Sequence, residues 1–232
     1  MPASAERANI AVASNFKPVM EAIEPMFEAS TGHDLVISSG STAKLYSQVR
    51  FGAPFDVFLS ADMAHPERLI DKDLAIANSM FTYAVGRLTI WSWSETTSSL
   101  EAMTNPATRK IAMATPAGAP YGVAAEEVLA HYGLTDAVAP KLVLGESIGQ
   151  AFAFAHTGNA DLGIVSLSLV LQLPEGEQGH RWDIPASAHT PIAQGAILLS
   201  RGADNDAALA FLAFLASEDA RQIIRQYGFE TP

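Results

Sequence analysis

Two strings in this sequence carry residue types that do covalent chemistry in other proteins. Gly145-Glu146-Ser147-Ile148-Gly149 has the G-x-S-x-G spacing of a nucleophile elbow, and it stands where a strand is predicted to turn into a helix, as that motif requires. Asp183 and His189 follow in the chain order of a hydrolase triad, so a serine esterase with Ser147 as nucleophile is a competing reading. Against it, the chain has no His-Gly-Gly-Gly oxyanion loop, and the acid and base lie close together in or beside a loop-like segment. Ser41-Thr42-Ala43-Lys44 fits the S-x-x-K of acylating β-lactamases, but the companion S-D-N and K-T-G strings are missing. Lys44 reads better as a solvated helix side chain. The six histidines (His33, His65, His131, His156, His180 and His189) include no i, i+4 pair and no H-E-x-x-H, so they present no metal-ligand spacing. Neither a Walker loop nor G-x-G-x-x-G is present.

A second kind of chemistry recurs along the chain: strand, short polar or Gly-rich turn, helix. Ser14-Asn15 opens one helix and Ser41-Thr42 the next; Pro120-Tyr121-Gly122 and Ser147-Ile148-Gly149 open two more. Ser, Thr and Asn are preferred helix caps, which accounts for each turn singly. Their joint placement says more. In a doubly wound sheet the ligand crevice lies beyond the carboxyl ends of the strands, where all these turns fall. Helix N-termini offer unpaired N–H groups and partial positive charge, and so take anions without a cation. Converging turns of this kind would make an uncharged, donor-rich cage for a small oxyanion.

The elements that must hold these turns follow from periodicity. Strands are predicted at Asn9 to Ala13, Leu35 to Ile37 and Val57 to Leu59. Between them lie helices from Phe16 to Ala29, with Val19, Ile23, Met26 and Phe27 on one face, and from Ala43 to Phe51. Ser38 to Thr42 reads as a polar turn, and Asp62 as the cap of a further helix. The run Phe81 to Trp93 is β-rich and too long for one small strand. The pattern then restarts: strands at Ile111 to Ala114, Leu142 to Leu144 and Leu162 to Val165, and helices at Gly122 to Tyr132 and Gln150 to His156. Pro174 to Ser187 reads as surface loop, Ala196 to Leu199 as a strand, and Asn205 to Ala216 and Ser217 to Tyr227 as closing helices. Such alternation implies α/β lobes with parallel pairing. Lobe I takes residues 1–86 and 196–232 and lobe II residues 87–195, with a ligand cleft expected between them.

Composition narrows the partners. With 14 Lys and Arg against 25 Asp and Glu the net charge is −11, and no basic cluster appears, which disfavours nucleic acid and anionic membrane surfaces. The absence of cysteine excludes disulfides, zinc–thiolate sites and thiol nucleophiles. An apolar content of 49% against 17% charged residues supports a real core. The longest apolar stretch, Ala207 to Ala216, falls short of the roughly 20 residues of a membrane span and reads as a buried helix. The segment Met1 to Arg7 has no apolar h-region and does not read as a signal peptide.

Four strings together resemble a known family: Ala13-Ser14-Asn15-Phe16, Ser39-Gly40-Ser41-Thr42, the run Gly52-Ala53-Pro54-Phe55-Asp56-Val57-Phe58-Leu59-Ser60-Ala61-Asp62, and Ala160-Asp161-Leu162-Gly163-Ile164-Val165. The chain is similar, from about Ile10 to Gly228, to the periplasmic molybdate- and tungstate-binding proteins of ABC transporters, the ModA family. The resemblance implies a two-lobed type II periplasmic solute-binding protein fold, each lobe a mostly parallel sheet flanked by helices, joined by a two-stranded hinge. It implies a binding protein and no enzyme: a monomer with no cofactor, whose molybdenum or tungsten arrives as the oxyanion and is not ligated directly, and whose partner is a membrane permease. Position by position it places anion contacts at Ser14, Asn15, Thr42 (with Ser41 as the alternative), Tyr121 and Ile148, the last two chiefly through backbone N–H groups. Ser147 and Ser166 are further candidates. Where some members carry a tyrosine after Gly-Ile-Val, this chain has the shorter Ser166. Sulfate or phosphate is the neighbouring alternative ligand.

Overall fold

The side chains at Ile10 and Val12 pack on one face of a sheet and Ala11 on the other; Val57 and Leu59 against Phe58, and Ala196 and Leu198 against Ile197, divide in the same way. That period-two division, apolar on both faces, is what a strand covered by helices on each side requires. The structure is a computed structural model and describes residues 5–93 and 99–232, so the first four residues of the segment Met1 to Arg7 lie outside it.

In chain order the elements begin β1 (Arg7–Ala13), α1 (Lys17–Thr31), β2 (Asp34–Gly40), α2 (Thr42–Arg50), β3 (Val57–Leu59), α3 (Ala64–Ile70) and β4 (Phe81–Gly86). They continue with β5 (Leu88–Ser92), α4 (Leu100–Thr104), β6 (Ile111–Ala114), α5 (Pro120–His131), α6 (Thr135–Val138), β7 (Leu142–Gly145), α7 (Ile148–His156), β8 (Leu162–Ser166), α8 (Leu167–Leu171) and β9 (His180–Asp183). The chain closes with β10 (Ile192–Leu198), α9 (Asp206–Leu215) and α10 (Glu218–Gln226).

Two units result. One runs to Val85 and resumes at Ala193–Pro232; the other is Gly86–Ile192. The chain passes between them inside β4 and again inside β10, which are neighbours in the first sheet. That sheet has the order β2-β1-β3-β10-β4, with β1 parallel to β2 and β3 and β10 antiparallel to β3. The second has the order β7-β6-β8-β5-β9, with β6 parallel to β7 and β8 and β5 antiparallel to β8 and β9. Each sheet is thus a parallel trio followed by an antiparallel neighbour and one further edge strand, a mixed arrangement. Helix α1 is fixed to α9 by Phe27 and Phe211, whose rings meet edge-to-face at 5.7 Å.

Several local expectations need correction. Met26 is 46% exposed, and Met20 is buried in its stead, because the covered face of α1 is centred on the side of Met20. Ser38 to Gly40, expected to turn, continues β2 in register with Ala11 to Ala13. A parallel partner satisfies the backbone there whatever the side chains are. Within the expected loop Pro174 to Ser187, His180–Asp183 pairs with β5 as an edge strand. Its polar side chains hide it from any hydrophobic pattern, whereas Thr89 Oγ1, donating to the Trp182 carbonyl at 2.9 Å, helps hold it. The apolar run of α9 is covered on one side only, with Leu209 exposed.

Candidate functional site

In the first unit, β1 ends at Ala13 and the chain turns sharply into α1. The Ser14 N–H donates to the Gly40 carbonyl (3.0 Å) and the Phe16 N–H to the Ala13 carbonyl (2.9 Å), so the ends of β1 and β2 are stitched together at this turn. Asn15 is fully buried, and its Nδ2 donates to Gln194 Oε1 at 2.9 Å. At the next turn Ser41 caps α2, its hydroxyl accepting from the Lys44 N–H at 3.4 Å. Thr42, one residue on, is buried at 1% exposure, and its hydroxyl accepts from the Ala61 N–H at 3.2 Å. A hydroxyl that accepts still has its own proton to donate. Lys44, read as a solvated side chain, is exposed.

Behind these turns lies a buried polar network that sequence reading missed. Gln194 Oε1 also accepts from the Tyr83 hydroxyl at 3.0 Å, and the Ser60 carbonyl lies 3.3 Å from the same hydroxyl. The Ser60 side chain donates to Asp62 Oδ1 at 3.0 Å. Asp62, expected as the cap of α3, lies one residue before the cap position at Met63; it accepts from the His65 backbone N–H at 3.0 Å, and its Oδ2 meets His65 Nδ1 at 2.7 Å. Burial raises the Asp62 pKa, but hydrogen bonds from His65 and Ser60 and the charge of His65 outweigh it, and the carboxyl is held below its ordinary value. One signal of the network was available: Gln194 is an amide inside an otherwise apolar strand.

In the second unit, the Thr115 N–H donates to the Gly145 carbonyl at 2.8 Å, joining the ends of β6 and β7. Pro120 starts α5 with a preset φ and no N–H to leave unpaired. Tyr121 follows and is buried. Gly122 is required by close approach: a Cβ there would stand 2.5 Å from the Ala114 carbonyl oxygen. Gly145 is required in the same way, by the Ala151 nitrogen at 2.7 Å. Both helix starts are therefore pressed onto strand ends. Ser147 caps α7, its hydroxyl accepting from the Gln150 N–H at 3.2 Å, while Gln150 Oε1 accepts from the Glu146 N–H at 2.6 Å. Ile148 is buried in the first turn. Ser166 ends β8 fully buried, with its hydroxyl 2.7 Å from that of Ser168.

The structure thus puts Ser14, Asn15, Ser41 and Thr42 at the carboxyl ends of strands in one unit, and Tyr121, Ser147, Ile148 and Ser166 at the corresponding ends in the other. All are uncharged. The hydrolase constellation is not assembled. Ser147 is engaged as a cap, Asp183 pairs with Arg181 at 3.2 Å, and His189 Nδ1 meets the Thr190 carbonyl at 2.8 Å. Among the described residues, none of the three bonds to another. Among the described residues, too, no cluster of His, Asp or Glu is placed to hold a metal ion, and no helix is long and apolar enough to cross a membrane.

The family model for bacterial extracellular solute-binding proteins matches residues 8–230. The chain belongs to this family. This solute-binding protein is 42% identical over 229 residues to the molybdate-binding protein ModA of Azotobacter vinelandii, covering 98% of this chain and 91% of that one. It is 41% identical over 232 residues to the molybdate-binding protein ModA of Rhodobacter capsulatus, with 100% and 91% covered. The solved structure of the A. vinelandii periplasmic molybdate-binding protein superposes with a TM-score of 0.92 at 35% identity, covering 97% of this chain and 99% of that one. At that likeness the type II periplasmic binding protein fold, with its two mixed sheets flanked by helices, is the fold of this solute-binding protein.

Proposed function

We propose that this protein binds molybdate or tungstate in the periplasm and delivers it, as a monomer, to the permease of an ABC transporter. The observation that carries this reading is the set of uncharged donors, buried or half-buried, at strand ends in both units, in a chain 42% identical to a protein named for binding molybdate. In this reading the anion is held by uncharged donors. Ser14, Asn15 and Thr42 serve it from the first unit, and the backbone N–H groups of Tyr121 and Ile148 from the second.

Local chemistry supports the choice within each turn. The Ser41 and Thr42 hydroxyls each accept one backbone N–H and keep a proton to donate; of the two, Thr42 is the buried one. Ser147 caps α7 by taking the Gln150 N–H, and in this reading the anion contact from α7 is the Ile148 N–H. Ser166 shares a hydroxyl contact with Ser168, and Asn15 is the better-placed additional donor.

Molybdate and tungstate are tetraoxo dianions that are fully deprotonated at neutral pH, so they offer acceptors only and suit a cage of donors. A protonated phosphate would need a carboxylate acceptor; the nearest in these turns is Glu146, whose side chain is exposed. Sulfate shares charge and shape and is discriminated by cage size. Hydrogen bonds to a charged group contribute about 1.5–3 kcal/mol each. About five to seven of them, less desolvation and closure, leave on the order of 8–12 kcal/mol, which is micromolar to nanomolar binding.

Calorimetric titration with molybdate, tungstate and sulfate tests the reading. Micromolar or tighter binding of the first two, and none of sulfate, is expected. Absence of heat and of thermal stabilisation with both metal oxyanions would overturn it.

A further inference from the structure

The proposed anion contact at Asn15 does not stand alone in the fold. Its carboxamide donates to Gln194, and Gln194 receives Tyr83 on the same oxygen, at 2.9 and 3.0 Å. All three side chains are essentially buried. A carbonyl oxygen has two lone pairs, and partners from two different elements fix the rotation of the Gln194 amide, with its oxygen toward both. Gln194 in turn holds the nitrogen end of the Asn15 carboxamide, which carries two N–H groups. Only that nitrogen can donate to a dianion, so holding it in one place decides whether the contact can form.

The position of the two supporting residues matters as much as their chemistry. Gln194 lies just past Ile192/Ala193, where the chain re-enters the first unit within β10. Tyr83 lies just before Val85/Gly86, where the chain leaves it within β4. One buried chain of hydrogen bonds therefore runs from the Ser14-Asn15 turn to both strands in which the units are connected.

We propose that Gln194, backed by Tyr83, is the positioning residue for the anion contact at Asn15 and ties that contact to the two connecting strands; this rests on the oxyanion reading above. Gln194 touches no anion itself. Its effect on affinity passes through the Asn15 amide, and Tyr83 acts one bond further back.

The test is a set of molybdate titrations on wild type, Tyr83→Phe, Gln194→Leu, Asn15→Ala and the double variants, with thermal unfolding of the unliganded proteins alongside. Gln194→Leu is expected to weaken molybdate binding roughly tenfold or more, and Tyr83→Phe about threefold, on the scale of one hydrogen bond lost or loosened. In the Asn15→Ala background neither substitution should weaken binding further. A merely structural role would lower the unfolding temperature and leave the dissociation constant of the folded protein unchanged. Where Gln194→Leu does not fold, the Tyr83→Phe and Asn15→Ala pair completes the same cycle. Wild-type binding with unchanged affinity in the folded variants, or effects that multiply in the double variants, overturns the proposal. Failure of the wild type to take up molybdate instead overturns the oxyanion reading on which it rests.

Discussion

Thr42 Oγ1 accepts the backbone N–H of Ala61 at 3.2 Å, which fastens the first residue of α2 to the chain just beyond β3. The bond is buried and joins two elements that are distant in sequence. Thr42→Val keeps the volume and removes the acceptor, leaving the Ala61 N–H without its partner. A loss of about 1–3 kcal/mol in stability is expected from denaturant unfolding. Thr42→Ser, which keeps the hydroxyl, should retain most of both stability and molybdate affinity.

Ser14 offers a hydroxyl at the turn between β1 and α1, while its backbone N–H is occupied by Gly40. Ser14→Ala should weaken molybdate binding by roughly 1.5–3 kcal/mol, through loss of one charge-assisted bond. An unchanged dissociation constant in calorimetry would show that this serine only shapes the turn.

Gly122→Ala opposes two effects. Alanine favours a helix over glycine by up to about 1 kcal/mol. The added Cβ, however, would sit 2.5 Å from the Ala114 carbonyl oxygen and force α5 away from its strand, at about 1–3 kcal/mol. Net destabilisation in urea unfolding is expected, with weaker molybdate binding as Tyr121 moves. A stabilised variant would mean that the helix start has room to shift.

Asp62 gives a pH dependence of definite sign. Its pKa in the folded protein is below the ordinary 3.8, so the unfolded chain binds more protons in the interval between the two values. Its contribution to stability is therefore complete above about pH 4 and falls away as pH drops through the folded value. Stability measured from pH 6 down to pH 2 should show a component of that slope in wild type that Asp62→Asn lacks. Parallel curves for the two proteins would remove the assignment.

Ser147→Ala separates cap from nucleophile. Loss of the bond from the Gln150 N–H should lower stability by about 1 kcal/mol. Hydrolysis of a p-nitrophenyl ester should be the same background with and without the substitution. Turnover that disappears in Ser147→Ala would restore the esterase reading.

Periodicity located what is local. Ile111–Ala114 is a strand with the predicted bounds, because four apolar residues between polar ones leave little choice of register. The turns that open α2, α5 and α7 were legible because caps and close-approach glycines are short-range features, whereas α1 starts after Phe16 with no side-chain cap and Ser14-Asn15 mark its turn without capping it. The polar end of β2 and the edge strand β9 were not legible, since each is held by backbone pairing to a neighbour and not by its own side chains. Gln194 was passed over for a related reason. Its partner Asn15 is 179 residues away in sequence, and nothing nearby in the chain announces the pairing.

The strand order of the first sheet also sets a timetable. Within it β4 borders β10 alone, and β10 follows the whole of Gly86–Ile192 in the chain. A nascent polypeptide that has released β1 to β4 can join β2, β1 and β3, but β4 has no strand to pair with until β10 emerges. The inserted unit, by contrast, is one continuous segment that can complete its own sheet while the first unit waits. Tyr83 and Gln194 can therefore meet only once β10 is in place.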